Sequence, residues 1–125
     1  DVAESVCQAA NYAKVACKAL KEMHRQVGDL IIDDTGVARQ GLLIRHLVLP
    51  DGMADTRKIM RYIAAEISTR SYVNLMAQYR PCGRAAEIRG LDTFPSPADY
   101  RNALQAAKKE GITRLDRPRR TFVLM

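Results

Sequence analysis

The apolar run from residue 42 to residue 49 constrains what this chain can fold into more than any other segment. It is short and rich in aliphatic and β-branched side chains, and a Pro-Asp-Gly turn follows it, as is typical of a β-strand. Its nearly continuous hydrophobicity predicts a parallel strand that is covered on both faces. A helical pattern and a second strand-like run, residues 72–76, come next. Strand, helix and strand at this spacing predict a right-handed βαβ unit and therefore an α/β fold.

Three segments have apolar residues at helical spacing. The first covers about residues 12–27, and Gly28 follows at the position where a helix commonly ends. The second begins after Asp55, which we expect to cap it. Its inner face is predicted to hold Ile59, Met60, Ile63, Ala64 and Ile67. The third begins after Ser96, the predicted N-cap, and ends at Gly111.

The segments between these elements are turns and loops of different lengths. Residues 29–41 are predicted to form a short extended piece and a turn. Residues 80–94 show no periodicity, and loops of that length are often functional. Residues 112–125 are predicted to form a short strand and a basic tail, with the tail at residues 114–125. Because the chain opens on a helical pattern without an initiating Met, we expect residues 1–125 to be a single partial domain cut from a longer protein.

The chain is basic, with 20 lysines and arginines against 14 aspartates and glutamates and a formal net charge of +6. This charge favours nucleic-acid binding, because neutralisation of phosphates dominates the affinity of such complexes. However, the basic residues are scattered apart from a cluster at residues 114–120, and aromatic side chains that stack on bases are few. A solvated basic surface is therefore the favoured interpretation, and nucleic acid is not an expected partner.

No apolar run is long enough to span a bilayer, which predicts a protein without a membrane segment. The three cysteines, Cys7, Cys17 and Cys82, match no zinc or iron–sulfur spacing and suggest no disulfide framework. We therefore expect no metal site in this chain. Cysteines that are not arranged as a disulfide framework favour a reducing compartment, and the cytoplasm is the predicted location.

Arg45 and His46 lie inside the first apolar run, where a charge is costly unless it is paired or bound. Side chains alternate along a strand, so the two residues are predicted to lie on opposite faces of the sheet. We expect Arg45 on the concave face and His46 toward the covering helices. For Arg45 two interpretations remain open, a buried ion pair and contact with a ligand. For His46 a satisfied hydrogen bond in the core is favoured over catalysis or metal binding.

Asn74 and Gln78 have the same parity in and after the second strand-like run. If both strands belong to one parallel barrel, Arg45, Asn74 and Gln78 are predicted to converge near its C-terminal mouth, where barrel active sites form. The two amides are equally compatible with satisfied groups of a core. The chain contains no catalytic triad, carboxylate pair, HExxH motif or phosphate-binding loop, so we assign no catalytic residue.

Three stretches of the chain carry a resemblance to a known family. They are KEMHRQVGDL at residues 21–30, GLLIRHLVLPDG at residues 41–52 and YVNLMAQYRPCGRA at residues 72–85. In this order they resemble the C-terminal half of the radical S-adenosylmethionine proteins related to pyruvate formate-lyase activating enzyme. The likeness covers about residues 12–115. It implies an α/β fold that is the C-terminal portion of a partial (β/α) barrel, with the two strands of this chain as its last two.

The resemblance also implies cofactors, a partner and site residues. In that family a CxxxCxxC loop after the first strand holds a 4Fe–4S cluster, at which S-adenosylmethionine is reductively cleaved. The resulting radical takes a hydrogen atom, in the activating enzymes from a glycine of a glycyl-radical-type partner protein. The arginine of the penultimate strand contacts S-adenosylmethionine, and Arg45 matches that position. The resemblance therefore implies that Arg45, Asn74 and Gln78 belong to a cofactor-binding pocket.

The cluster motif and the strands that carry it in the family are missing from this chain. We therefore expect the chain to be an inactive fragment that holds neither the cluster nor S-adenosylmethionine stably on its own. A barrel cut in this way leaves a strand edge unpaired, which predicts self-association, most simply as a homodimer that covers this edge or the concave face. The competing possibility is a monomer in which the N-terminal helix or the C-terminal tail folds over the gap. The alternative function is a non-catalytic interaction or nucleic-acid-binding α/β module with a basic tail.

Overall fold

The computed structural model describes residues 11–52 and 54–116 of the chain. Its elements are, in order, helix α1 (Tyr12–Val27), strands β1 (Ile31–Ile32), β2 (Ala38–Gln40) and β3 (Leu43–Leu47), helix α2 (Thr56–Tyr62), strand β4 (Tyr72–Met76), helix α3 (Pro97–Lys109) and strand β5 (Arg114–Leu115). A π-helical turn (Ile63–Ile67) prolongs α2, and 3₁₀ turns lie at Pro50–Gly52 and Ala85–Glu87. Cys7 and the predicted basic tail from residue 117 onward lie outside the described residues.

Strands β3, β4 and β5 form a parallel sheet in that order, whereas β1 and β2 form a separate antiparallel hairpin. In the register of the sheet, Arg45 lies beside Asn74, and Tyr72 lies beside Arg114. Helix α2 connects β3 to β4, and α3 connects β4 to β5. The predicted α/β class and the βαβ unit are therefore confirmed, although β3 is shorter than the predicted strand over residues 42–49.

Within the described chain, helices cover only one face of the three-stranded sheet. On that face Ile44, Val73 and Leu75 are buried in a core that is completed by helical and loop side chains. The buried side chains that complete it include Met60, Ile63, Ala103, Ala107 and Ile112. On the other face, which we call the open face, Leu43 and Leu47 are exposed.

The prediction that β3 is covered on both faces is therefore wrong for the described residues. Two successive crossovers in the same direction have the same hand, so they place α2 and α3 on the same side of the sheet. A continuous apolar run shows that both faces of a strand are suited to an apolar environment, but it does not show what packs against each face.

Helices α1 and α3 have the bounds that their local signals predict. The Ser96 hydroxyl accepts a hydrogen bond from the Asp99 N–H at 3.1 Å, and the Asp99 carboxylate accepts one from the Ser96 N–H at 2.7 Å. This capping box, with Pro97 in the first turn, fixes the start of α3. The hydrogen bond from the Ser96 backbone also lowers the pKa of Asp99.

Helix α2 differs from the prediction at two residues. Asp55 stands at the N-cap position, but its φ is 53° and its side chain makes no capping hydrogen bond. A capping side chain reaches the free N–H groups from an extended backbone, which Asp55 does not adopt. Ile59 is exposed, whereas its neighbour Met60 and Ile63 are fully buried. The apolar face of α2 is thus narrower than predicted, because it is centred on Met60 and Ile63 and Ile59 lies beyond its edge.

The long connection between β4 and α3 contains a small apolar cluster of its own. Leu91 is buried there with Leu49 and Ala54, and Ile88 packs against them. The Tyr79 hydroxyl donates a hydrogen bond of 2.6 Å to the Leu91 carbonyl. The connection is therefore folded against the segments that follow β3 and β4. None of the described helices is both long and apolar enough to cross a membrane.

Candidate functional site

The open face brings together the two strand residues that the sequence singles out. Arg45 and Asn74 are register partners on β3 and β4, and adjacent strands lie about 4.8 Å apart. Both side chains therefore project from the same face, as predicted. Leu43 and Leu47 flank Arg45 along its strand, and Met76 lies beside Leu47. The site is a shallow apolar surface with one guanidinium and one amide near its centre.

Arg45 differs from the second arginine on this face, Arg114. The guanidinium of Arg114 donates to the Arg70 carbonyl at 3.0 Å and to the Leu30 carbonyl at 2.7 Å, and it lies 5.7 Å from the centre of the Tyr72 ring. Arg45 is exposed and forms no hydrogen bond or ion pair with another described residue. The buried ion pair is therefore not the explanation of Arg45 within the described chain. Arg114 stabilises the fold, whereas Arg45 has donors to offer to a ligand.

The two predicted amides lie in different environments. Asn74 is half-buried in β4, next to Arg45, whereas Gln78 is exposed and lies beyond the end of the strand. Neither side chain forms a hydrogen bond with another described residue. Alternation along a strand therefore places Asn74 on the open face but does not determine the direction of Gln78, whose proposed role stays a prediction.

Arg114 and Tyr72 complete the open face and were not predicted as site residues. They are register partners and the first residues of β4 and β5, so they lie at the end of the open face where these two strands begin. Strand β5 has only two residues, Arg114 and Leu115, so its sequence contains no alternation to detect. The only sequence signal for Arg114 is its position shortly after the glycine that ends α3, which is compatible with a third strand.

His46 lies on the helical face of β3, opposite to Arg45. It is buried, and its Nε2 atom is 2.9 Å from the Thr56 hydroxyl at the start of α2. Burial lowers the pKa of His46 below its ordinary value of 6.5. The interpretation of His46 as a hydrogen-bonded histidine of the core is therefore confirmed, and His46 takes no part in the open face.

We expect the protein to become less stable as the pH falls below about 6.5, the ordinary pKa of histidine, because His46 is buried in its neutral form. Its pKa is lower in the folded state than in the unfolded state, so the unfolded state binds more protons in this range. The stabilisation is fully present above the pKa of the unfolded state and is lost as the pH falls from there through the lower pKa of the folded state. Urea unfolding at a series of pH values measures this loss.

His46→Gln should remove most of this pH dependence, because glutamine stays neutral while it can still hydrogen-bond with Thr56. The chain has one other histidine, His24, which is half-buried beside Asp29. His24→Gln is therefore the matched control and should keep the dependence that His46 causes. If the stability of His46→Gln depends on pH in the same way as that of the unsubstituted chain, burial of neutral His46 does not cause the pH dependence.

The described cysteines are not arranged as metal ligands. Cys17 is half-buried in α1, Cys82 is exposed in the connection after β4, and both are free thiols. Within residues 11–52 and 54–116, no group of three or more His, Cys, Asp or Glu side chains could hold a metal ion. The described residues therefore do not fit an iron–sulfur cluster, whose irons are held by several cysteine thiolates.

The helical side of the protein has a basic groove between α2 and α3, with a volume of about 590 Å³. Its lining residues are Arg57, Asn102, Gln105, Ala106, Lys108 and Lys109. The Glu110 carboxylate lies 3.4 Å from the guanidinium groups of both Arg57 and Arg61 and neutralises part of this charge. A groove of exposed charged and amide side chains is typical of a solvated helical surface. It is therefore a weaker candidate than the open face.

The chemistry of the open face suits a ligand that has both a carboxylate and an apolar part. A guanidinium binds a carboxylate through two parallel hydrogen bonds, and the Asn74 amide can both donate and accept. Leu43, Leu47 and Met76 supply the apolar surface beside these polar groups. No family model matches the chain, and no curated protein or solved structure matches it either.

Proposed function

We propose that this chain is the C-terminal portion of a radical S-adenosylmethionine protein related to pyruvate formate-lyase activating enzyme. Its open face would form one wall of the S-adenosylmethionine pocket. The observation that carries the proposal is Arg45, which is exposed on an apolar face without a described partner. By the resemblance Arg45 matches the arginine of the penultimate strand, which contacts S-adenosylmethionine, although β5 makes β3 the third strand from the end of the described sheet. A charge at this place is accounted for if an anionic group of a ligand binds it.

The residues of the open face fit parts of S-adenosylmethionine. The Arg45 guanidinium would bind the carboxylate of the methionyl group, and the Asn74 amide would hydrogen-bond with a neighbouring polar group. The apolar surface at Leu43, Leu47 and Met76 would pack against the uncharged parts of the molecule. When bound at a reduced cluster, S-adenosylmethionine supplies the radical. The cluster ligands would have to come from a CxxxCxxC motif outside this chain.

The sheet supports the proposed barrel in one further respect. Strand β3 is the terminal strand of the described sheet, so a preceding parallel strand could pair with its free edge. The proposed parent would then be a partial (β/α) barrel that ends with the three described parallel strands rather than with the two that the resemblance implies. A glycyl-radical-type protein would be its partner in the cytoplasm. The amide of Gln78 would belong to the rim of the same pocket.

The first test is the coding sequence upstream of Asp1. The proposal requires an open reading frame that continues upstream and encodes a CxxxCxxC motif after a strand-like run. If the upstream frame lacks that motif, the proposal is wrong.

The second test is the binding of S-adenosylmethionine by the longer protein with its reconstituted cluster. We expect Arg45→Ala to weaken binding by about tenfold or more, because a hydrogen bond to a charged group contributes about 1.5–3 kcal/mol. Arg101→Ala is the matched control, since Arg101 is exposed on α3 on the helical side. Isothermal titration calorimetry gives both dissociation constants.

Equal affinity of the Arg45→Ala and Arg101→Ala proteins would contradict the assignment of Arg45. Salt-sensitive binding of DNA or RNA without binding of S-adenosylmethionine would instead favour the alternative, an α/β interaction module with a basic surface.

A further inference from the structure

Asp116 adds a carboxylate to the open face directly after β5. The Asp116 N–H donates to the Val73 carbonyl at 3.1 Å, which continues the parallel register of β5 by one residue. Leu115 packs against the main core on the helical face, so alternation directs the Asp116 side chain to the open face. The Tyr72 hydroxyl, which lies on that face, donates a hydrogen bond of 2.9 Å to Oδ1 of Asp116. The open face therefore has a carboxylate as well as the guanidinium of Arg45.

Arg45, Asn74 and Asp116 form one row across the three parallel strands, which we call the charged row. Asn74 is the register partner of Arg45, and the continued register of β5 places Asp116 on the other side of Asn74. Adjacent strands lie about 4.8 Å apart, so the backbones at the two ends of the charged row are about 10 Å apart. The row runs from a positive charge through an amide to a negative charge.

The Asp116 carboxylate is not neutralised by the part of the chain that the structure describes. Arg114 lies on the same face of β5, but its guanidinium donates to two backbone carbonyls and lies over the Tyr72 ring. None of the ion pairs among the described residues includes Asp116 or Arg45. Both ends of the charged row therefore have hydrogen-bonding groups to offer to a ligand.

Tyr72 fixes the direction of the Asp116 carboxylate. Burial raises the pKa of Tyr72, and so does the hydrogen bond with Asp116. The hydroxyl therefore keeps its proton at neutral pH and remains a donor to Oδ1 of Asp116. The Arg114 guanidinium packs on the Tyr72 ring at 5.7 Å from its centre and holds the ring in turn. Asp116 is thus positioned by the fold although it is exposed.

We propose that the charged row binds a zwitterionic ligand, in which a cationic group lies close to a carboxylate. Arg45 would bind the carboxylate and Asp116 the cationic group, with the Asn74 amide between them. An ammonium nitrogen and a carboxylate oxygen on one carbon are about 3 Å apart. With a hydrogen bond of about 2.8 Å at each end, such a ligand bridges about 9 Å, which is close to the length of the charged row.

This inference rests on the proposed function, because it assigns a second contact to the same ligand site. S-adenosylmethionine has two cationic groups near its carboxylate, the ammonium on the same carbon and the sulfonium at the end of the methionyl side chain. Either group has the charge that Asp116 would bind. Arg45 alone does not distinguish a zwitterion from a simple carboxylate, whereas Asp116 would favour the zwitterion.

The test uses three ligands with one carbon skeleton. γ-(Methylthio)butyrate has the carboxylate and no cationic group, L-methionine adds an ammonium, and γ-(dimethylsulfonio)butyrate has a sulfonium instead. NMR titration of the chain, followed at the backbone N–H groups of the charged row, gives the three dissociation constants. We expect at least one zwitterion to bind about threefold or more tightly than γ-(methylthio)butyrate, because an exposed ion pair contributes only modestly. The zwitterion that binds more tightly identifies the cationic group that Asp116 contacts.

Asp116→Asn should remove this preference and leave the affinity for γ-(methylthio)butyrate unchanged. The asparagine oxygen can still accept the hydrogen bond from Tyr72, so the substitution removes the charge and keeps the contact. Asp55→Asn is the matched control, because Asp55 is exposed at the start of α2 on the helical side. The control should keep the preference for the zwitterion.

Three outcomes overturn the proposal. They are binding of none of the ligands, equal affinity for all of them, and a preference that Asp116→Asn retains. Equal weakening of all ligands by Asp116→Asn would mean that Asp116 acts only through the fold, which also contradicts it. The titrations use neither a cluster nor an upstream segment. A preference for zwitterions without an upstream CxxxCxxC motif would support this inference and refute the proposed function, and the motif without the preference would do the reverse.

Discussion

Gly41→Ala is expected to lower the free energy of unfolding by about 3 kcal/mol or more, which is a large part of the stability of a small domain. The φ of Gly41 is +106°, a backbone conformation that residues other than glycine rarely adopt. A Cβ atom at this position would lie 2.6 Å from the carbonyl carbon of Asp29 and closer still to its oxygen. The obstacle is backbone, so no side chain can turn aside to make room.

The clash at Gly41 cannot be relieved cheaply, because the segment that causes it is fixed. The Leu42 N–H donates to the Gly28 carbonyl at 3.0 Å, and the Arg114 guanidinium donates to the Leu30 carbonyl at 2.7 Å. Any movement of residues 28–30 away from Gly41 would lengthen these bonds. The same contacts position the start of β3, and therefore Arg45, so the substitution should also disturb the open face.

Urea unfolding of Gly41→Ala against Gly36→Ala measures the effect. Gly36 has a φ of +82°, but nothing lies within 4 Å of the Cβ atom that alanine would add. Gly36→Ala therefore reports the cost of the conformation alone, about 1–2 kcal/mol. If the two variants lose equal stability, the contact of residue 41 with Asp29 does not contribute.

The elements that the sequence predicts well are those with complete local signals. Helix α3 begins where Ser96 and Asp99 can hydrogen-bond reciprocally, and α1 ends where Gly28 adopts a positive φ. These signals involve residues close in sequence and act before any tertiary contact forms. Strand β4 is predicted with its observed bounds because it is a short β-branched and aromatic run between polar segments.

The covering of a face is harder to predict, because it depends on elements that are distant in sequence. Leu43 and Leu47 on the open face are as hydrophobic as the residues of a strand that is covered on both faces. Hydrophobicity alone therefore does not reveal that these two side chains are exposed. Ile59 appears in the helical pattern of α2 but lies beyond the edge of the buried stripe. Burial depends on where neighbouring helices lie, which periodicity does not specify.

Only part of the candidate site can be predicted from the sequence, because its residues come from different strands. Alternation within one strand separates Arg45 from His46, and the structure confirms it. The placement of Asn74 beside Arg45 requires the register between two strands, which neither strand contains by itself. Arg114 reaches the open face through a strand too short to show alternation. Contacts between strands are thus the part of the site that the sequence leaves open.

Ile63→Ala is expected to lower the free energy of unfolding by about 2–5 kcal/mol, the range for truncating a buried isoleucine. The Ile63 side chain is fully buried between α2 and the sheet, in the main core. Its removal loses apolar burial and leaves a cavity that a close-packed core fills only in part. The backbone bond from the Ser68 N–H to the Ile63 carbonyl, 2.8 Å, does not involve the side chain and should remain.

Ile59→Ala is the matched control for Ile63→Ala, because it makes the same chemical change one turn earlier. Ile59 is 36% exposed, so we expect its truncation to cost less than about 1 kcal/mol. Any gain from the higher helix propensity of alanine is similar at the two positions and cancels in the comparison. Urea unfolding of both variants at one pH gives the difference. Equal losses would mean that the core is not centred on Ile63, and the packing of α2 against the sheet would have to be different from the one described.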